Sequence, residues 1–305
     1  MMCIGVGQST AEKFPISGQE NGDKHSHAAV AVDARKWFHQ TQLPWGGSWF
    51  NNELQHYTNR LENAYVSDGS LKIVAKKESF SDQGHTKQYT SARLNAKYAF
   101  KYGRVFVRAK LPTGTGTWPA IWTLGKNINE AGAYWQTQGF GSTTWPACGE
   151  IDIMEHWGSK QNFVQSTMHT PSSHGGTINH GGQVIGTASM QFHVYEMDWQ
   201  RDKIIFRVDG VEHYRYAPKV RNSSTWPYAS EQYLLLNVAI EPSIDSDFTQ
   251  SSMEIDYVRV YAENAGPTDQ PVWADEFNTS TPQATDGNRD DAITVKTANN
   301  EVHHH

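Results

Sequence analysis

The sequence predicts an all-β sandwich or barrel, and three features support this class. Apolar residues stand in short runs, many of them alternating with polar residues, a period that fits β-strands better than helices. Gly, Asn and Ser, which favour tight turns, separate these runs at fairly regular spacing. The chain of 305 residues can bury a large core, and sandwiches of about 200 to 250 residues are commonly single domains.

Eight segments have the strand pattern, and they are, in order, SLKIVAKK (70–77), GRVFVRAKL (103–111), AIWTLG (120–125), EIDIME (150–155), FHVYEMDWQ (192–200), KIIFRVDGVEHYRY (203–216), YLLLNVAIE (233–241) and SMEIDYVRVYA (252–262). Some alternate and others are largely apolar, and both patterns are typical of strands in a sandwich or barrel. Segment 203–216 predicts a hairpin, because Asp209-Gly210 can supply the two positive φ angles of a two-residue turn.

The two ends of the chain differ from this middle part. Residues 1–31 and 279–305 are polar and lack the strand pattern. We therefore predict a polar N-terminal extension over 1–31, a single β-sandwich domain over 32–278, and a polar tail over 279–305 that ends in a purification-tag remnant. The first residues show no signal peptide, so a secreted location has to be inferred from the chemistry.

Composition argues against several classes of function. Charged residues make up 19% of the chain, the net charge is −6, and no basic run is interleaved with aromatic residues, so we expect no nucleic-acid partner. The two cysteines, Cys3 and Cys148, cannot form a disulfide framework or a cysteine-based zinc site. Nowhere do about eighteen apolar residues run together, so we expect no membrane span.

The stretch WPACGEIDIMEHWG places three carboxylates in a predicted strand. Strict alternation puts Glu150 and Asp152 on one face and Glu155 on the other. A β-bulge near Ile153 or Met154 inserts one extra residue and returns Glu155 to the face of the other two acids. The prediction is therefore a bulged strand with three carboxylates on one surface.

Three adjacent carboxylates suit glycosidase chemistry. Each raises the pKa of its neighbours, so one can stay protonated while another is ionised, and glycosidases need such a pair. A solvated sheet face or a cation site is the alternative explanation. Four tryptophans close in sequence, Trp118, Trp122, Trp145 and Trp157, favour a carbohydrate cleft, because indole rings offer a broad face for sugar rings to stack on.

With GEIDIME preceded by GTGTWPAIWTLG (114–125), the chain resembles glycoside hydrolase family 16 and, within it, the laminarinases, which are endo-β-1,3-glucanases. The similarity runs from about Val32 to Tyr261. It implies a β-jelly-roll sandwich of two antiparallel sheets with the acidic motif facing a concave substrate cleft. Glu150 would then be the nucleophile, Asp152 the residue that orients it, and Glu155 the acid/base of a retaining hydrolysis.

Met154 bears on which branch of the family the chain resembles. The extra residue matches the bulged branch of laminarinases, agarases and carrageenases, whereas lichenases lack it. The resemblance therefore disfavours a specialist for mixed-linkage glucan.

The resemblance also implies six substrate-binding residues: Asn52, Arg93, Trp118, Trp122, Trp145 and His169. Asn52 and Arg93 would hydrogen-bond to sugar hydroxyls on the non-reducing side. Trp118 and Trp122 would form the walls beside the cleaved bond, with Trp145 near it and His169 close to the acid/base. For each residue an ordinary structural role is the alternative. His169, His174 and His180 lack metal-ligand spacing, so we predict no zinc, and their Gly-rich surroundings suggest a mobile loop.

Family members often bind one structural calcium ion, and here its ligands would be Gly69, Asp256 and Glu276. Glu276 belongs to PVWADEFN (271–278), which resembles the family's first strand although it follows the last one. A circular permutation, or exchange of this strand between two copies of the chain, would account for its position. The start of a truncated second domain is the alternative.

Together these features predict a secreted, endo-acting β-1,3-glucanase that needs no cofactor for catalysis. Its partner would be a β-glucan polysaccharide, and it would be a monomer or a strand-swapped dimer. Two alternatives remain open. One is the same chemistry on mixed-linkage glucan, agarose or a carrageenan, and the other is a non-catalytic, lectin-like glycan-binding module on the same sandwich.

Overall fold

The computed structural model describes residues 28–44 and 46–278, so most of the predicted N-terminal extension and the whole predicted tail lie outside the described residues. The strands are β1 (Trp37–His39), β2 (His56–Tyr57), β3 (Ala64–Ser67), β4 (Ser70–Asp82), β5 (His85–Ser91), β6 (Arg93–Phe100), β7 (Gly103–Lys110), β8 (Thr117–Gly125), β9 (Glu150–His156), β10 (Phe163–His169), β11 (His180–Val184), β12 (His193–Trp199), β13 (Ile204–Val208), β14 (Val211–Tyr216), β15 (Gln232–Ile240), β16 (Gln250–Tyr261) and β17 (Trp273–Asp275).

In the residues that the structure describes, helical structure is limited to short pieces. One α-helical turn, α1 (Tyr134–Thr137), and three 3₁₀ turns, Phe50–Asn52, Gly158–Lys160 and Pro227–Ala229, lie between strands. Within residues 28–44 and 46–278, no helix is both long and apolar enough to cross a membrane.

The strands form two sheets, which confirms the predicted all-β sandwich. The first sheet has seven strands in the order β1-β6-β15-β8-β9-β10-β11. The second has ten, in the order β14-β13-β12-β7-β16-β4-β5-β2, with β3 beside β4 and β17 beside β16. Each of the eight segments predicted from the sequence contains a strand, and segment 203–216 is the β13–β14 hairpin.

The main core lies between the sheets and follows from the alternation of their strands. Leu71 and Ile73 on β4 and Val105 and Val107 on β7 are fully buried, whereas the intervening positions are polar or face outward. Burying one such side chain contributes about 1.5–3 kcal/mol. Strand β15, an interior strand of the first sheet, is buried along its whole length, which explains its nearly continuous apolar sequence.

Strand β17 covers one end of this core. It pairs antiparallel with β16, and the Asp275 carboxylate accepts a hydrogen bond from Trp37 Nε1 at 2.8 Å. The Phe277 ring stacks on Trp37 with 6.2 Å between centroids and is 2% exposed. The segment predicted to supply the family's first strand thus packs into the sandwich in the described chain.

Candidate active site

The register of β9 against β8 shows the predicted bulge. Glu155 lies opposite Ala120, Met154 opposite Ile121, and Asp152 opposite Trp122, so Ile153 is the extra residue. The bulge is confirmed and falls on Ile153, while Met154 keeps a cross-strand partner. Because Ile153 and Met154 are both buried in the main core, the next residue, Glu155, turns outward.

The three acids share one face of the seven-stranded sheet. On β10, Gln165, Thr167 and His169 lie opposite Glu155, Asp152 and Glu150 in that order. Residues directly opposite each other on neighbouring strands point to the same side of the sheet. The outward face of β9 is therefore a row of three carboxylates, bordered by side chains of β8 on one side and of β10 on the other.

Glu150 lies at one end of this row and is held by several contacts. Trp145 Nε1 donates a hydrogen bond to Glu150 Oε2 at 2.7 Å. His169 Nε2 lies 3.7 Å from Glu150 Oε1 and 3.1 Å from Asp152 Oδ2. The Tyr228 hydroxyl lies 3.0 Å from the Glu150 carbonyl oxygen and 2.7 Å from that of His169, which fastens β9 and β10 together here.

Burial and mutual repulsion raise the pKa values of all three carboxyls. Burial and then the negative charge of Asp152 hold the pKa of Glu150 well above its ordinary value. Burial and Glu155 do the same to the pKa of Asp152. Burial and then Glu150 raise the pKa of Glu155 to about 8, opposed by the Thr167 hydroxyl, which donates to Glu155 Oε2 at 3.0 Å. Glu155 therefore keeps its proton at neutral pH.

His169 is not where the sequence placed it. We expected it beside the acid/base, Glu155, but its ring contacts Glu150 and Asp152 instead. The reason is the antiparallel pairing, which brings the end of β10 against the start of β9. The residue that contacts Glu155 is Thr167, two positions earlier on the same face. The alternation of β10 could have indicated it, whereas no sequence signal indicated Tyr228.

Trp118 and Trp122 lie on the same face of β8 as Ala120, the residue that is paired with Glu155 on β9. The Trp122 indole donates to Asn237 Oδ1 at 2.7 Å, and the Arg93 guanidinium lies 4.8 Å from its ring. Trp118 stacks on Trp157 with 5.8 Å between ring centroids. Trp145 is 40% exposed next to Glu150. Three of the predicted cleft tryptophans therefore surround the acids.

Comparison with known proteins agrees with this geometry. Residues 51–259 match the family described as Glycosyl hydrolases family 16. The chain belongs to glycosyl hydrolase family 16. The resemblance predicted from the sequence is thereby confirmed.

Individual relatives of this family 16 chain are similar over most of its length. It is 35% identical to a beta-glucanase of Rhodothermus marinus over 85% of this chain and 90% of the relative. It is 37% identical to glucan endo-1,3-beta-glucosidase A1 of Niallia circulans over 77% of this chain, but the match spans 36% of that protein. A LamA variant from Zobellia galactanivorans, solved with laminaritriose and laminaritetraose, is 46% identical and superposes with a TM-score of 0.70, covering 76% of this chain and 94% of that one.

The two residues predicted for the non-reducing side differ in their surroundings. Asn52 is exposed at the end of a 3₁₀ turn, with a positive φ of 58°. Arg93 is 3% exposed, and its guanidinium donates to Gln40 Oε1 at 2.9 Å and to Glu130 Oε2 at 3.1 Å. Arg93 therefore supports the Trp122 wall from behind. Hydrogen bonds from Asn52 and Arg93 to sugar stay predictions.

The three residues predicted to hold calcium lie on or beside β4, β16 and β17, at the junction of these three strands in the second sheet. Strands β4 and β17 both pair with the edge of β16 that faces away from β7. Strand β4 pairs with β16 up to Ile255, and β17 pairs with it from Val258. This register brings Gly69 and Glu276 towards Asp256. These residues would offer oxygen donors, which calcium prefers.

Both carboxylates at this junction are engaged by arginines. Arg108 Nη1 donates to Asp256 Oδ2 at 2.8 Å, and Arg259 binds both carboxylate oxygens of Glu276 at 2.8 and 3.0 Å. A calcium ion would have to compete with these guanidinium groups. The oxygen donors therefore suit calcium, whereas the arginine pairs oppose its binding.

Proposed function

We propose that this chain is an endo-acting β-1,3-glucanase that works by double displacement. The observation that carries the proposal is the β9 bulge, which sets Glu150, Asp152 and Glu155 in one row between tryptophan side chains. The relatives named as a beta-glucanase and a glucan endo-1,3-beta-glucosidase, and the structure solved with laminari-oligosaccharides, support β-1,3-glucan as the substrate.

In this mechanism Glu155 is the acid and then the base. Its pKa of about 8 means that it carries a proton at neutral pH, which it can give to the departing glycosidic oxygen. In the second step it takes a proton from the water that attacks the glycosyl-enzyme. The Thr167 hydroxyl holds one carboxylate oxygen of Glu155 by a hydrogen bond.

Glu150 is the nucleophile. The indole N–H of Trp145 favours its ionised form, and Asp152 shares the proton that burial and repulsion keep in this pair. The Glu150 carboxylate attacks the anomeric carbon as the leaving oxygen is protonated, and a covalent glycosyl-enzyme forms. Asp152 and His169 orient the attacking oxygen through their contacts with each other and with Glu150.

A substrate panel tests this proposal. Reducing-sugar release is measured on a soluble β-1,3-glucan, mixed-linkage glucan, agarose and a carrageenan, for the wild type and for Glu150→Gln and Glu155→Gln. We expect release from the β-1,3-glucan and a loss on the order of 10³-fold in each variant. Binding without release from any substrate would favour the lectin alternative, and preferred release from a galactan would overturn the substrate assignment.

A structural calcium ion is a second, finer proposal. The strand register that brings Gly69 and Glu276 towards Asp256 supports it, whereas the arginine pairs oppose it. The melting temperature is measured in millimolar calcium and after removal of divalent ions with a chelator. We expect calcium to raise it, and Asp256→Asn to abolish the rise. Equal melting temperatures for the wild type would reject the site.

The domain organisation and location are also proposals. We propose that 271–278 supplies the family's first strand by permutation, supported by its pairing with β16 and its cover over Trp37. A chain in which this segment is moved before residue 32 should melt like the original, and light scattering would distinguish a monomer from a strand-swapped dimer. Secretion is inferred from the polymeric substrate, and activity in the culture medium of the source organism would test it.

A further inference from the structure

The bulge that exposes Glu155 has its backbone capped by a side chain. An extra residue interrupts the sheet ladder locally and leaves backbone groups in need of partners. Here the Ser166 hydroxyl donates to the Ile153 carbonyl oxygen at 2.7 Å. Ser166 is fully buried and faces the core side of β10, opposite to the row of acids. Its side chain lies away from Glu155, so its hydrogen bond to Ile153 acts on Glu155 through the backbone of the bulge.

Ser166 is in turn held by a histidine. His213 Nε2 lies 2.7 Å from Ser166 Oγ. A hydroxyl carries one hydrogen, and Ser166 gives it to Ile153, so His213 must be the donor in this pair. Burial lowers the pKa of His213 to about 4, which keeps its ring neutral, and its Nδ1 has no hydrogen-bond partner among the described residues. The proton of the neutral ring is thus assigned to Nε2.

His213 reaches Ser166 from the other sheet, and two local features make this possible. On β14, Tyr214 lies opposite Phe206 and Glu212 opposite Arg207, so His213 is itself the extra residue of a bulge. On β11, the residue opposite Ser166 is Gly181, where a Cβ would lie 2.9 Å from the His213 carbonyl oxygen. Glycine at 181 therefore lets β14 approach closely enough for the histidine to reach the serine.

We propose that Ser166 and His213 are positioning residues that lock the β9 bulge and thereby hold Glu155 on the catalytic face. This inference rests on the proposed role of Glu155. Without the serine hydroxyl, the Ile153 carbonyl loses this hydrogen bond and the bulge can relax along the strand. Glu155 then leaves its place beside Thr167 and Glu150, although every residue that would touch substrate is still present.

The first test is Ser166→Ala, assayed on a soluble β-1,3-glucan. We expect kcat to fall about tenfold with KM changed less than twofold, because displacement of a catalytic group slows chemistry more than binding. The alkaline limb of the pH profile should move to lower pH as Glu155 loses burial and the charges of Glu150 and Asp152. Ser91→Ala is the matched control: Ser91 is equally buried, and its hydroxyl has no partner in the part of the chain that the structure describes.

A second pair of variants tests the histidine. His213→Leu removes the donor and should reproduce the Ser166→Ala profile, whereas His213→Gln keeps an N–H donor and should recover most of the lost kcat. If the folded Ser166→Ala and His213→Leu proteins melt at lower temperature but keep wild-type kcat and alkaline limb, the positioning role is overturned. If Glu155→Gln itself stays active, it is the proposed role of Glu155 that fails, and the two failures are thereby distinguished.

Discussion

In the proposed mechanism, the protonation of Glu155 sets the upper pH limit of the reaction. An acid must be protonated to act, and the pKa of Glu155 is raised to about 8, so activity should be present below that pH and be lost as the pH rises through it. We expect kcat/KM on a β-1,3-glucan to have an alkaline limb near pH 8 in the wild type. A limb near the ordinary glutamate value would show that burial and Glu150 do not act on Glu155 as described.

Thr167 offers a way to move that limit. Its hydroxyl donates to Glu155 Oε2 and so favours the ionised form. Thr167→Val keeps the shape but removes the donor, so the pKa of Glu155 should rise and the alkaline limb should move to higher pH, measured by kcat/KM against pH. Thr123→Val, at a buried threonine that bonds Gln232, is the control and should leave the limb unchanged. A Thr167→Val limb that moves down would contradict this contact.

Within strand β9, the effect of the extra residue can be tested by deleting it. Deleting Ile153 leaves Glu150, Asp152 and Glu155 at alternating positions of a regular strand, so all three acids still share one face. We expect this variant to hydrolyse β-1,3-glucan within about tenfold of the wild type, since the chemistry needs the face and not the bulge. In that background Ser166→Ala should have no further effect on kcat, measured as a double-mutant cycle.

The outcome that would contradict this prediction is a deletion variant that folds but is as inactive as Glu155→Gln. The bulge would then supply more than the orientation of Glu155. A deletion variant that is active but still sensitive to Ser166→Ala would instead show that the serine acts by some other route than the bulge.

The strands show how far local sequence can predict this fold. Alternation and turn residues located β4, β7, β8, β9 and the β13–β14 hairpin, and the spacing of the acids within β9 was enough to predict the bulge. Strand β11 was missed and its surroundings were interpreted as a mobile loop, because Gly181 and Gly182 are poor strand formers. Tertiary packing explains why both positions are glycine, because a Cβ at Gly181 would meet His213 and one at Gly182 would meet Phe163.

The candidate site, like the fold, was only partly predictable from the sequence. The row of acids and the tryptophans followed from residue type and spacing, whereas contacts across strands did not. His169 was assigned to the wrong glutamate because the register of β10 against β9 is set by pairing between distant segments. The Ser166–His213 contact joins residues 47 positions apart in different sheets, so no local pattern could indicate it.

At the scale of the whole molecule, the segment after β16 contributes to the stability of the sandwich. Phe277 is 2% exposed and stacks on Trp37, so Phe277→Ala leaves a cavity at the end of the core. We expect the free energy of unfolding to fall by about 3–5 kcal/mol in denaturant titrations. Phe140→Ala, at a ring that is 47% exposed, is the control and should change it by less than about 1 kcal/mol. Equal stabilities for the two variants would show that 271–278 does not complete the core.

We propose that the bulged β9 presents Glu150 as the nucleophile and Glu155 as the acid/base on one face, and that these residues act on β-1,3-glucan. The most direct measurement is covalent trapping with a 2-deoxy-2-fluoro-β-laminaribiosyl fluoride, followed by mass spectrometry of the digested protein, since such a reagent slows the second step more than the first. We expect one adduct, on Glu150, that forms in the wild type and in Glu155→Gln but not in Glu150→Gln. An adduct on Glu155, or rapid turnover of natural substrate with inversion and no adduct, would contradict it.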